Sequence, residues 1–243
     1  MICHATELQN TGRTDIHFAE HHSNKAEPAD TSRCAQWTAT LGSGASLCAL
    51  LAGKSVATTM SFTPLDGLLM GTRAGAIDPG VVLYLLRHER MTPQQVEYLL
   101  DRESGLLGVS GISSDMRDLL TSLAPEAAEA VDLFCYRVAR EVGAMAAAVE
   151  GLDAIVFTGG IGENSPEVRE KVCDRLGWLG VGFDHAANRA GATRLNTAGS
   201  RVSILRVPAD EEAVIARHAA HAIHQDRLDP ESNWNGKGAN SPQ

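Results

Sequence analysis

A long amphipathic stretch followed at once by a short apolar run constrains the fold more than any other feature of this chain. From about Glu126 to Glu150, apolar residues recur at helical spacing along one broad face. The run DAIVFTGGIGEN that comes next has the length and composition of a buried strand that ends in a glycine turn. A helix long enough to pack across a sheet, joined to a buried strand, predicts a layered α/β domain with a mixed sheet and flanking helices.

Further strands and helices alternate on both sides of this unit. The segment SLCALLAGKSVATTMSF predicts two short strands around a turn near Gly53, and RVSILRVP predicts another strand. Three helix starts carry capping patterns, at Asp78-Pro79, at Thr92 to Gln95 and at Ser165-Pro166. These elements predict one domain over about residues 41–225, with ligands expected at the glycine turns that follow strands.

The two ends of the chain differ in texture from this domain. Residues 1–40 show no periodicity and few aliphatic clusters, so disorder is predicted for them, as it is for residues 226–243. Three of the four histidines in the first segment, His17, His21 and His22, allow a metal-binding tract or a solvated tail. No carboxylate or cysteine stands at convincing ligand spacing beside them, which favours the tail.

Charge and composition exclude several classes of function. With 21 Lys and Arg against 30 Asp and Glu, the formal net charge is -9, which repels a nucleic-acid backbone. No apolar run approaches the roughly 20 residues of a membrane span, and no secretory signal is evident. The five cysteines are scattered without metal-site spacing. A cytoplasmic protein with reduced thiols is therefore predicted, with neither nucleic acid nor membrane as a partner.

Several segments could carry chemistry, and each also has a plain structural interpretation. The turns at Gly42 to Gly44 and Gly160 to Asn164 could present backbone N–H groups to phosphate, or simply be turns. The second fits neither the dinucleotide nor the P-loop pattern. Arg73 and Arg117 could clamp a carboxylate or phosphoryl group, or be solvated surface residues. Glu211 could hold Mg²⁺, or complement a helix dipole.

Taken in order, the blocks LGSGAS, SFTPLDGLLMGTRAGAIDPG, SGLLGVSGISSDMRDL, DLFCYRVAREVGA, LDAIVFTGGIGENSPEVRE and VPADEEAVIAR resemble the C-terminal half of the acetate and short-chain acid kinases. The resemblance covers residues 41–217. It implies a ribonuclease-H-like domain of the actin-like ATPase superfold, working as a homodimer. It also implies reversible transfer of the γ-phosphoryl group of ATP to acetate or a related acid, with Mg²⁺, giving acetyl phosphate and ADP.

The resemblance assigns a role to each matching position. Arg73 matches an arginine that stabilises charge on the transferring phosphoryl group, which is what a preorganised guanidinium does best. Pro64 matches a wall of the pocket for the acetate methyl group, and Glu211 matches a magnesium-associated glutamate. The implied nucleotide residues are Gly42, Ser43 and Gly44 around the phosphates, with Asp115, Met116, Arg117, Gly160, Ile161, Gly162, Glu163 and Asn164 around the ribose and adenine.

Departures from the family pattern are equally specific. Family members carry an N-terminal domain before this half, with a further phosphate loop and catalytic arginine, and residues 1–40 do not resemble it. Thr40 stands where the family usually has histidine. A truncated or frameshifted gene is therefore predicted, whose product lacks one wall of the cleft and has negligible kinase activity alone. The alternatives are a nucleotide-binding or dimerising module without catalysis and an inert product, whereas the TPLDGLLMGTR and GGIGEN blocks disfavour an actin-like sugar kinase.

Overall fold

A five-stranded mixed sheet is the centre of the fold in the computed structural model, which describes residues 35–209. The strands lie in the order β3-β2-β1-β4-β5. The first three are antiparallel neighbours, whereas β1, β4 and β5 run parallel. Their bounds are β1 (Ala35–Leu41), β2 (Ala45–Leu51), β3 (Lys54–Thr58), β4 (Ala154–Thr158) and β5 (Ser203–Arg206). The mixed sheet predicted from the sequence is confirmed.

The N-terminal limit of the folded region was predicted wrongly. Residues 35–40, assigned above to a disordered segment, form most of the central strand β1, which pairs with both β2 and β4. Trp37 and Leu41 are fully buried on one face of this strand. The segment AQWTATL is poor in aliphatic residues, so its stability comes from two neighbouring strands that local sequence does not reveal. Residues 1–34, including the three histidines, lie outside the described residues.

Eight α-helices accompany the sheet within residues 35–209. They are α1 (Pro79–Arg87), α2 (Pro93–Arg102), α3 (Gly105–Ser110), α4 (Met116–Thr121), α5 (Pro125–Ala148), α6 (Gly159–Asn164), α7 (Pro166–Asp174) and α8 (His185–Arg189). Helix α5 packs across β2 and β3 and buries Ala130, Phe134 and Val138. The long helix and its apolar face are as the sequence predicts. No helix of the described part is long and apolar enough to span a membrane.

Two of the three predicted caps are confirmed. Asp78 accepts a hydrogen bond from the Gly80 N–H at 2.8 Å, and the Thr92 capping box makes both of its bonds. Ser165 precedes α7, but its side chain makes no capping bond. Because its own N–H donates to the Ile161 carbonyl at 2.9 Å, Ser165 is at the same time the C-cap of the preceding helix α6. Glu211, its predicted helix and the tail 226–243 lie outside the described residues.

Candidate functional site

Three of the predicted segments meet where the parallel strands β1 and β4 end. The turn Gly42 to Gly44 follows β1, and α6 follows β4. The start of α4 closes the third side of a cavity of about 480 Å³, a volume typical of small-molecule sites. The cavity is lined by Gly42, Ser43, Ser114, Asp115, Met116, Arg117, Gly160, Ile161, Asn164 and Ser165.

Close backbone packing brings the first two segments together. Gly159 has φ of 78°, and a Cβ built on it would lie 2.9 Å from the Leu41 carbonyl oxygen. Only glycine allows both that conformation and that approach. The end of β1 therefore lies directly against the start of α6, and a Cβ on Gly42 would come within 3.9 Å of the Gly160 nitrogen.

The block GGIGEN forms helix α6 rather than an open loop, and its residues divide into two groups. Gly160, Ile161 and Asn164 line the cavity. Gly162 is buried, and the Glu163 carboxylate accepts a hydrogen bond from the Gly159 N–H at 2.9 Å. The structure thus places Gly162 and Glu163 in the support of the helix, outside the cavity lining.

Asp115 and Arg117 form an ion pair at the third side of the cavity. Asp115 accepts from the Arg117 backbone N–H at 2.9 Å, which caps α4. Arg117 Nε donates to the same carboxylate at 3.0 Å, and Nη2 reaches its second oxygen. These hydrogen bonds from Arg117 lower the pKa of Asp115 to about 2. The guanidinium itself is largely exposed and can contact a ligand.

Replacing Asp115 with alanine should cost about 1 kcal/mol of stability, the usual effect of losing a helix N-cap. Because the pKa of Asp115 is lowered, its charge contributes fully above the ordinary value of 3.8 and is lost as pH falls toward about 2. The stability difference between parent and variant should therefore be constant from pH 5 to 8 and shrink at lower pH. Urea unfolding at several pH values measures it, and a difference that grows on acidification would contradict this assignment.

Arg73 lies beside the turn Gly42 to Gly44 at one end of the cavity. A Cβ on Gly44 would come within 3.3 Å of Arg73 Nη2, so the guanidinium packs against that turn. Its Nη1 donates to the Pro64 carbonyl at 2.8 Å. The Gly71 N–H donates to the Ser43 carbonyl at 3.1 Å, which ties the arginine's loop to the turn. The structure brings the predicted arginine and Pro64 into direct contact.

Sequence reasoning missed several residues of this region. Ser114 and Ser165 line the cavity. Ser165 was predicted only as a helix cap, and the one signal for Ser114 was its place next to Asp115. Asp101, at the end of α2, stands 3.9 Å from Arg73 Nε, a pairing that local sequence does not indicate. Within residues 35–209 no cluster of three His, Cys, Asp or Glu side chains could hold a metal ion.

Comparison with known proteins gives one consistent result. The model of the acetokinase family matches residues 14–217, so the match begins well before the predicted start at residue 41. "Acetate kinase" of Rhodopseudomonas palustris (strain TIE-1) is 59% identical over 180 residues, which are 73% of this chain and 45% of that protein. "Acetate kinase" of Methylocella silvestris is 50% identical over 185 residues, 76% of this chain and 46% of that protein.

Solved structures agree with the sequence relatives. The acetate kinase of Porphyromonas gingivalis superposes with a TM-score of 0.81 at 35% identity, over 86% of this chain and 54% of that one. A propionate kinase from Francisella tularensis gives 0.75 at 32% identity, over 85% of this chain and 56% of that one. The chain thus spans about half the length of the proteins it resembles.

Proposed function

The chain belongs to the acetokinase family and has its actin-like ATPase fold, and on that premise we propose that it forms the nucleotide side of a kinase for acetate or a related short-chain acid. The proposed reaction is reversible transfer of the γ-phosphoryl group of ATP to the acid, giving an acyl phosphate and ADP. A carboxylate oxygen attacks the γ-phosphorus, and the bond from that phosphorus to the β-phosphate oxygen breaks.

One observation supports the proposal above the others: the order of the segments in space matches the order of groups in the reacting pair. The cavity beside α6 and Asp115 would take the nucleoside, and its Ser43 turn would take the phosphates. Next to that turn stands Arg73, and next to Arg73 stands Pro64. This line runs from nucleoside through phosphates and transferring phosphoryl group to the acid.

The proposed roles follow from the chemistry of phosphoryl transfer. That reaction asks a protein mainly for alignment and for neutralisation of charge on the phosphoryl oxygens. Backbone N–H groups of the Gly42 to Gly44 turn and the guanidinium of Arg73 supply both. Pro64 would bound the acyl group while its carbonyl holds Arg73 in place.

Mg²⁺ is proposed to accompany the nucleotide and to neutralise phosphate charge, with Glu211 as the expected residue near it. Glu211 lies outside the described residues. Within residues 35–209, no group of three His, Cys, Asp or Glu side chains could hold a metal ion. We therefore assign no step of the reaction to the metal. A cytoplasmic location is proposed together with the use of ATP, and the net charge of -9 argues against a nucleic-acid partner.

A complementation assay tests the proposal. The described residues provide one wall of the cleft, and transition-state stabilisation needs groups placed within about an ångström from both walls. The 243-residue chain tested alone should give negligible acetyl phosphate in a hydroxamate assay. Mixing it with the N-terminal half of the Rhodopseudomonas palustris acetate kinase should restore turnover. Binding of nucleotide without restored turnover would favour the second candidate, a nucleotide-binding module without catalysis.

We also propose that a second copy of the chain docks on α1, consistent with the homodimers that the family resemblance implies. None of the nine residues of this helix is buried, although its sequence is PGVVLYLLR. Val81 and Tyr84, one helical turn apart, are 46% and 52% exposed. Helix α1 contacts α2, but it leaves this apolar face exposed, and an exposed apolar face is typical of an interface between copies.

Introducing glutamate at both Val81 and Tyr84 should convert a dimer into a monomer. In a two-fold interface each charge meets its own copy's counterpart or its apolar neighbours, which should weaken association by at least about a hundredfold. Sedimentation equilibrium measures the change. Leu123→Glu is the control, because Leu123 is fully exposed and lies outside α1. A monomeric parent chain, or a double variant that stays dimeric, would contradict the proposal.

A further inference from the structure

A buried arginine, which is not among the residues that line the cavity, binds the C-terminal end of α6. Arg169, on α7, is only 1% exposed. Its Nη1 donates to the carbonyl oxygens of Gly162 and Glu163, each at 2.8 Å. Its Nε donates to Asn188 Oδ1 at 2.8 Å. Two of these three hydrogen bonds join the guanidinium to the end of the helix that lines the proposed nucleotide cavity, and the third joins it to α8.

The surroundings of Arg169 differ from those of an ordinary buried ion pair. Among the described residues, no carboxylate forms an ion pair with it. Burial lowers the pKa of this guanidinium, and the positive charge of Arg206 adds to the effect. A buried charge is costly unless it is hydrogen-bonded. The last carbonyl groups of a helix lack partners within the helix and carry partial negative charge, so the end of α6 offers what this cation requires.

Asn188 fixes the orientation of the arginine. This side chain, on α8, is also 1% exposed, and its Nδ2 donates to the Pro166 carbonyl at 2.9 Å. Because that bond occupies the amide nitrogen, the amide oxygen faces Arg169 Nε. A continuous set of contacts thus leads from α8 through Asn188 and Arg169 to α6.

Helix α6 needs such support because its own sequence provides little. It has six residues, GGIGEN, and half of them are glycine. Short helices are marginal in water, and glycine is among the poorest helix formers. Its first N–H group is held by the Glu163 carboxylate, and its last carbonyl groups are held by Arg169. The positions of Gly160, Ile161 and Asn164 in the cavity depend on these two attachments.

We propose that Arg169, oriented by Asn188, is a positioning residue for nucleotide binding: it fixes the C-terminal end of the helix that lines the proposed nucleotide cavity. The inference rests on the proposed nucleotide-binding function. Arginine is required because Nε and Nη1 of one rigid group reach acceptors on two different elements. A lysine ammonium keeps the charge but cannot reproduce that geometry.

Titration with MgADP tests the proposal in the folded Arg169→Lys variant. The variant should bind MgADP about tenfold more weakly than the parent, the effect expected from losing a charge-assisted hydrogen bond. Arg175→Lys is the matched control, because Arg175 follows the same helix but pairs with Asp132 on the surface. Its affinity should stay within about twofold of the parent. Asn188→Ala keeps the arginine at position 169 but removes the side chain that orients it, so this variant should also bind MgADP more weakly than the parent.

Hydrogen exchange of the peptide that contains residues 159–165 separates this proposal from the proposed function. Exchange there should be faster in Arg169→Lys and Asn188→Ala than in the parent, at a temperature where all three are folded. A parent chain that binds no MgADP would overturn the proposed function, and the exchange rates would then decide the role of Arg169 on their own. Unchanged exchange and unchanged affinity in folded Arg169→Lys would overturn the positioning role.

Discussion

Replacing Gly105 with alanine is expected to destabilise the chain by about 3 to 5 kcal/mol, from backbone strain together with steric overlap. Gly105 has φ of 64° at the start of α3. A Cβ built there would lie 2.9 Å from both the backbone nitrogen and the carbonyl oxygen of Arg73, and closer still to the Met70 carbonyl oxygen. The alanine therefore has to displace the loop that carries the proposed catalytic arginine.

Gly111, at the other end of the same helix, provides the control. It has the same φ of 64°, but nothing lies within 4 Å of a Cβ built there. Gly111→Ala should cost only the strain of the left-handed conformation, about 1 kcal/mol. Urea unfolding of the two variants measures the difference. Equal losses would show that the Gly105 contact is not the constraint that holds the Arg73 loop.

Replacing Gly160 with phenylalanine is expected to weaken MgADP binding by at least about a hundredfold, or 2.7 kcal/mol, while leaving the fold intact. Gly160 lines the cavity, and no atom lies within 4 Å of a Cβ built on it. The Cβ of a larger side chain therefore meets no protein atom, and a cavity of about 480 Å³ has the volume to take an aromatic ring. It would occupy the space that the nucleoside is proposed to fill.

Gly177→Phe is the matched control for this substitution. No atom lies within 4 Å of a Cβ built on Gly177, as for Gly160, and Gly177 is not among the residues that line the cavity. That variant should bind MgADP as the parent does. If the two variants bind equally well, the nucleotide does not occupy the cavity beside α6.

The outcome for individual elements shows what sequence alone could predict. The helical spacing of apolar residues was sufficient to predict α5, and capping residues were sufficient to predict the starts of α1 and α2. Both signals are local in the sequence. Strand β1 was missed because its stability depends on β2 and β4 lying on either side of it. Local signals define an element only where the element carries its own stabilising pattern.

The candidate site shows the same division. The family resemblance predicted Gly42, Asp115 and Gly160 as nucleotide-binding residues, and the structure places all three around one cavity. It could not separate residues that line the cavity from those that support it, as Gly162 and Glu163 demonstrate. Arg169 carried no signal in the sequence, because its importance depends on burial and on carbonyl groups of another helix.

The most direct test of the central claim is calorimetric titration of the parent chain with MgADP beside its Gly160→Phe variant. The claim is that this chain forms the nucleotide side of an acetokinase site. It predicts saturable binding of one ADP per parent chain and none to the variant at the same concentrations. A parent chain that gives only heat of dilution up to about millimolar MgADP, the limit of useful affinity, would contradict it.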